Sequence, residues 1–185
     1  GGICFAETPD TAREAAENLF NSEIRGYPVT RVLVEEKLTA QSEIFIGLIY
    51  DTTARSGIVL GSLSGGINVE ESDAIAKSPF STHLPTPDFV GREIAAQLGH
   101  TGKDLLRLAK VVTSLIHCFL EWDAILLEIN PLVVTSDGHF LIADAHLETD
   151  DDALYRQQKL LDQMPCSKVF AGQTSEFEKR AHEID

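Results

Sequence analysis

Glu128 and Asn130 interrupt the apolar run Leu126-Leu127-Glu128-Ile129-Asn130-Pro131-Leu132, and Asp144 and His146 fall in the next apolar stretch. Strand signals run from Ala124 to Asn130 and from Gly138 to Leu147, and Thr135-Ser136-Asp137-Gly138 supplies the residue types of a tight reversal. A hairpin loop of Ser136-Asp137-Gly138, with Gly138 left-handed, would set Asn130 opposite Asp144 and Glu128 opposite His146, all four on one face. Opposed residues have Cβ atoms roughly 5 Å apart, so an amide oxygen and a carboxylate there can share one hard cation such as magnesium. Pro131 is the element that would disturb this register, through a bulge.

The remaining elements must hold that hairpin. Ile3-Cys4-Phe5-Ala6 has the pattern of a strand, and Thr8-Pro9-Asp10 that of a helix start, with Thr8 as N-cap and an apolar stripe of Ala12, Ala15, Ala16, Leu19 and Phe20 suited to packing on a sheet. Val32-Leu33-Val34, Glu43 to Tyr50 and Gly57 to Ser62 read as three short-linked strands of an antiparallel meander. Glu35, Glu36 and Glu43 are either solvated strand ends or groups bracketing a ligand. Gly65-Gly66 matches neither the P-loop nor the dinucleotide fingerprint and reads, from chemistry alone, as a turn. The prolines at 79, 85 and 87 predict an extended surface connection, with helix resuming near Asp88. Leu105, Leu108, Ala109, Val112, Leu115, Ile116, Phe119 and Leu120 mark a long amphipathic helix over 102–123, with His117 and Cys118 on or beside its apolar side as structural residues. The acids at 148 and 150–152 suit the first turn of a helix entered through Ala153-Leu154-Tyr155-Arg156-Gln157.

A chain of 185 residues, 43% hydrophobic, can fill the core of one domain plus an appendage. Its formal net charge of −14 would repel a phosphate backbone, so nucleic acid is not an expected partner, while a nucleoside triphosphate screened by magnesium is compatible with it. No apolar run approaches the roughly 20 residues that span a bilayer, so no membrane partner is expected, and a cytoplasmic or organelle-matrix setting fits. Cys4, Cys118 and Cys166 have neither disulfide nor metal-ligand spacing and read as reduced thiols, two of them in or near a core.

The order of motifs resembles the ATP-grasp region of the succinate-CoA ligase β-subunit family. Four blocks carry the resemblance: Val32-Leu33-Val34-Glu35 with Glu43; Gly65-Gly66 with Glu70; Gly91-Arg92-Glu93 before the long helix; and Glu128-Ile129-Asn130-Pro131-Leu132 with Asp144 and Ala153-Leu154-Tyr155-Arg156-Gln157. The hairpin block alone is also similar to ATP-citrate lyase. The resemblance implies an α+β ATP-grasp subdomain, an antiparallel sheet with helices packed mainly on one face. It spans residues 1–149, and a helical segment and linker, 150–185, leads toward a CoA-ligase domain.

The same resemblance implies the chemistry. Asn130 and Asp144 would bind Mg2+, Glu35 would lie at the adenine edge of ATP (or GTP), the backbone near Leu38 would also touch the nucleotide, and Glu43 would accept from the ribose hydroxyls. Glu128 would face, as a catalytic group, the phosphohistidine of a partner α subunit or domain that also carries the CoA site. The implied reaction joins succinate to CoA at the expense of a nucleoside triphosphate. The family's nucleotide-binding lysine and glycine-arginine loop precede the equivalent of Gly1, so this chain is expected to be part of a longer subunit and inactive alone. Ser64, before Gly-Gly, and the segment His146-Leu147-Glu148-Thr149-Asp150 depart from the family pattern. A malate- or citrate-specific relative, and a non-catalytic nucleotide-binding or subunit-contact module, are the alternative readings.

Overall fold

The computed structural model describes residues 2–24, 26–64, 75–82 and 88–163. The Gly65-Gly66 and Glu70 motif, Pro85, Pro87, Cys166 and the expected linker from Met164 onward lie outside the described residues. The chain divides into two compact units, Gly1–Ala40 and Gln41–Asp185.

In the first unit, helix α1 (Pro9–Phe20) begins as its sequence dictates, with Pro9 in the first turn and a reciprocal cap between Thr8 and Thr11. None of its residues is buried, and Phe20 is half exposed, so the expected packing of its stripe on a sheet is not seen. Two short strands, β1 (Glu23–Ile24) and β2 (Tyr27–Pro28), form a small antiparallel ladder. The expected strands at Ile3–Ala6 and Val32–Val34 do not form: neither run is in regular structure, and Ile3, Phe5, Leu33 and Val34 are all exposed. High β-propensity makes a strand only where a neighbour supplies the ladder bonds and apolar cover, and these runs have neither.

The second unit is built on a six-stranded antiparallel sheet. Strands β3 (Ser42–Asp51), β4 (Ser56–Ser62) and β5 (Ala76–Phe80) form a meander, so its third strand is β5 and not the Val32 run. The first part of the proline-rich stretch is therefore strand rather than surface connection. Pro79 is tolerated because β5 is an edge, and Gln97 shields that edge by donating to the Lys77 carbonyl and accepting from its N–H. Strand β6 (Ala124–Val134) pairs with the other side of β3, and the returning β7 (Phe140–Ile142) and β8 (Ala145–Thr149) both pair with β6.

Helices α2 (Phe89–Gln97) and α3 (Gly102–Glu121) cover one face. Ile44, Ile46 and Leu48 of β3, Val59 of β4 and Leu127 and Ile129 of β6 alternate onto that face and pack with Ile94, Leu108, Val112, Ile116 and Phe119. Each such side chain contributes roughly 1.5–3 kcal/mol by leaving water. Gly91 lets the helices close up: a Cβ there would run into the Ala109 carbonyl and stand 2.8 Å from Thr113 Oγ1. His117 is exposed on α3, beside rather than on its apolar side, and Cys118 is half-buried; Cys4 is exposed. The helices thus occupy one face, and the residues of opposite parity, including Glu128 and Asn130, look the other way.

Candidate functional site

The β6–β8 hairpin has the register that alternation and turn chemistry predict. Gly138 is left-handed at φ 76°. Its N–H donates to the Thr135 carbonyl, and the Thr135 N–H donates to His139, each at 2.9 Å, closing the Ser136-Asp137-Gly138 loop. Arg107 of α3 donates to the Gly138 carbonyl at 3.3 Å and ties the turn to the helix layer. Glu128 pairs with His146, and the Asn130 N–H donates to the Asp144 carbonyl at 3.2 Å.

Pro131 does introduce a bulge, on the β3 side. Ile46 pairs with Ile129 and Ile44 with Leu132, so Asn130 and Pro131 together oppose the single residue Phe45. The Asn130-Pro131 peptide is cis. The returning strand breaks at the same level, between β7 and β8, with the Ala143 N–H donating to the Pro131 carbonyl at 3.1 Å. The irregularity therefore leaves the mutual register of β6 and its returning partner unshifted, and Asn130 stays opposite Asp144. Bulges re-aim side chains in this way.

Asn130 Nδ2 donates to Glu128 Oε1 at 3.3 Å, which turns the acceptor end of the amide, the end a cation needs, away from Glu128. Asp144 is exposed, and its Oδ1 accepts the Ala145 N–H at 2.9 Å, one bond for a carboxylate that can take about four. His146 Nε2 lies 2.9 Å from Glu148 Oε1 on the same strand. Among the described residues no three His, Cys, Asp or Glu side chains converge on a metal position. One amide and one carboxylate are instead the small protein contribution that magnesium accepts when phosphates and water complete its octahedron, so the residues present fit that ion.

The other expected site residues fall elsewhere. Glu43 is exposed at the start of β3, with Val133 as its partner on β6 and the parity of Phe45 and Gly47, away from the helices. Glu35 is exposed and Leu38 is 39% exposed, both in the irregular stretch 29–40 of the first unit. Phe45 shares the parity of Glu43 on the face away from the helices, as strand alternation alone would place it, and the His146–Glu148 contact is one that i, i+2 spacing on a strand allows.

A second polar cluster anchors the far end of the hairpin. Asp123, in the left-handed region at φ 49°, links α3 to β6. Its carboxylate accepts from Arg156 Nε and Nη2 at 2.8 and 2.7 Å and from Gln157 Nε2 at 2.6 Å, and its carbonyl accepts the Asp150 N–H at 2.8 Å. The Arg156 hydrogen bonds lead in holding the Asp123 carboxyl down at about 2. The Ala153-to-Arg156 part of the conspicuous block lies in a 3-10 helix, Asp151–Arg156, capped by the Asp150 side chain on the Asp152 N–H; a short helix α4 (Gln158–Gln163) follows.

The model of the ATP-grasp domain matches residues 1–134. The chain is 36% identical over 161 residues to the succinate–CoA ligase [ADP-forming] subunit beta of Methanocaldococcus jannaschii, covering 84% of this chain and 44% of that protein. It is 35% identical over 166 residues to the same-named subunit of Chloroflexus aurantiacus, covering 86% and 44%. Among solved structures, ATP citrate lyase from Methanothrix soehngenii in complex with citrate and coenzyme A superposes with a TM-score of 0.67 at 20% identity, covering 95% of this chain and 42% of that one, which is a likeness of fold. The chain thus spans less than half the length of the curated relatives it matches. With a family match running through the open-faced sheet as far as the end of β6, the chain belongs to the ATP-grasp family.

Proposed function

We propose that this chain is the nucleotide- and magnesium-binding part of an NDP-forming acyl-CoA ligase, which converts succinate, CoA and a nucleoside triphosphate to succinyl-CoA, the diphosphate and phosphate. The observation that carries the reading is the paired bulge, which keeps Asn130 opposite Asp144 and bonded to Glu128. It occurs in an ATP-grasp chain about 35% identical to curated succinate–CoA ligase β subunits.

In this reading Asn130 and Asp144 hold the metal, and Glu128, hydrogen-bonded to Asn130, orients the first of them. Magnesium, when bound, supplies neutralisation of the charge that phosphoryl transfer develops on the phosphate oxygens. Glu43 accepts from the ribose hydroxyls, as a carboxylate does well, Glu35 meets the edge of the base, and the backbone near Leu38 also touches the nucleotide. The phosphoryl group passes to a histidine nitrogen of a partner α subunit or domain, and Glu128 steadies the positive charge of that imidazole. Residues 1–149 form the ATP-grasp portion and 150–185 lead toward a CoA-ligase domain, in an enzyme of the cytoplasm or the mitochondrial matrix.

The test is transfer of label from γ-labelled ATP by the full-length protein co-expressed with its partner. Acid-labile label on the partner, discharged by CoA with succinate, is the expected result. Nucleotide binding without labelled partner would instead make this a non-catalytic module, and discharge by citrate or malate alone would move the acid specificity.

A further inference from the structure

We propose that Phe45, seated over Gly47, contacts the nucleotide: its ring is an apolar floor beneath the sugar and inner phosphates of a nucleoside di- or triphosphate. The proposal rests on the placement of ribose at Glu43 and metal at Asn130 and Asp144. Phe45 is half-buried on the face of β3 that the helices leave open, since Ile44 and Ile46 on either side are fully buried in the helix-covered core. It stands at the centre of the polar constellation. Glu43 lies two residues along the strand, a step of about 7 Å, and the Asn130-Pro131 bulge lies directly across, about 5 Å away.

The ring lies along the sheet rather than rising from it. A Cβ on residue 47 would stand 3.0 Å from Phe45 Cζ and 3.3 Å from Cε1, with Leu60 Cβ at 3.8 Å, so the phenyl covers the position that glycine leaves empty. Gly47 is paired with Glu128 on β6 and with Leu60 on β4, which puts the ring between an apolar side chain and a carboxylate. A phenyl ring among Glu43, Glu128 and Asn130 offers a flat apolar surface to a ligand whose polar groups those three address. The carbon-bound hydrogens of a ribose fit that surface, and the bulk of the ring excludes water beside the phosphates.

The experiment measures ADP binding to the full-length protein by calorimetry, with magnesium and with EDTA. Phe45→Ala is expected to weaken ADP by about tenfold in both conditions, Phe45→Leu by no more than about threefold, and Gly47→Ala, which pushes the ring aside, by an intermediate factor. A measurement that needs no destabilising variant accompanies these: with 4-fluorophenylalanine incorporated, the 19F resonance that Phe45→Leu removes should shift on adding ADP, with or without metal. Unchanged affinity in Phe45→Ala and Gly47→Ala with an unmoved resonance overturns the proposal, and if Asn130→Ala and Asp144→Ala still weaken ADP in magnesium, the proposed function survives it. If those two variants are silent as well, the site assignment fails and takes the role of Phe45 with it.

Discussion

Replacing Asp123 by Asn keeps the size of the side chain and its tolerance of the left-handed backbone, and removes the charge together with one of the two oxygens that accept from Arg156 and Gln157. The carboxyl is drawn down from 3.8 to about 2, first by the hydrogen bonds from Arg156 and then by Gln157. A shift of that size corresponds to at most about 2.4 kcal/mol of folding stability. The Asp123 side chain is 23% exposed and that of Arg156 53%, so solvent screening reduces the figure to about 1–1.5 kcal/mol. A lowered carboxyl value means stability that is complete above the unfolded value and is lost as pH falls through the folded one. The deficit of Asp123→Asn should therefore be full at pH 7 and pH 5 and about half gone by pH 3. Urea unfolding at those three pH values measures it. A deficit under about 0.3 kcal/mol at pH 7, or one that does not shrink between pH 5 and pH 3, refutes the argument. The clamp also bears on the site: the Asp150 N–H bond to Asp123 fixes the end of β8, the strand that carries His146 one pleat from Asp144.

Gly91→Ala should part α2 from α3, because the new Cβ meets the Ala109 carbonyl and Thr113 Oγ1; the expected cost is about 1–3 kcal/mol, read as a lowered Tm. Glu128→Gln keeps an acceptor for the Asn130 amide, so magnesium–ADP affinity should stay within about twofold while phosphoryl transfer to the partner falls by about a hundredfold. Equal losses in both would make Glu128 a binding residue only.

The hairpin was legible because two independent signals agree: alternation sets the faces, and only glycine enters the left-handed position of Gly138 without strain. The helices were legible from caps and periodicity, with Thr8 and the Leu105–Leu120 series landing where expected. What failed was anything that depends on a partner. Val32–Val34 and Ile3–Ala6 have strand composition without a ladder, and α1 has an apolar stripe without cover. The bulge was foreseeable at Pro131, yet which neighbour would absorb it was not, since only the three-strand context shows Phe45 opposed by two residues. Asp123 was invisible for a similar reason: its ligands, Arg156 and Gln157, are 33 and 34 positions away.

Asn130 and Asp144 are proposed to hold the metal of a bound nucleotide. Titrating magnesium into the full-length protein while following ADP affinity in the wild type, Asn130→Ala and Asp144→Ala isolates that role. Each variant should bind ADP like the wild type in EDTA and lose the magnesium-dependent tightening. Tightening of wild-type size in both variants would show that the metal is held elsewhere.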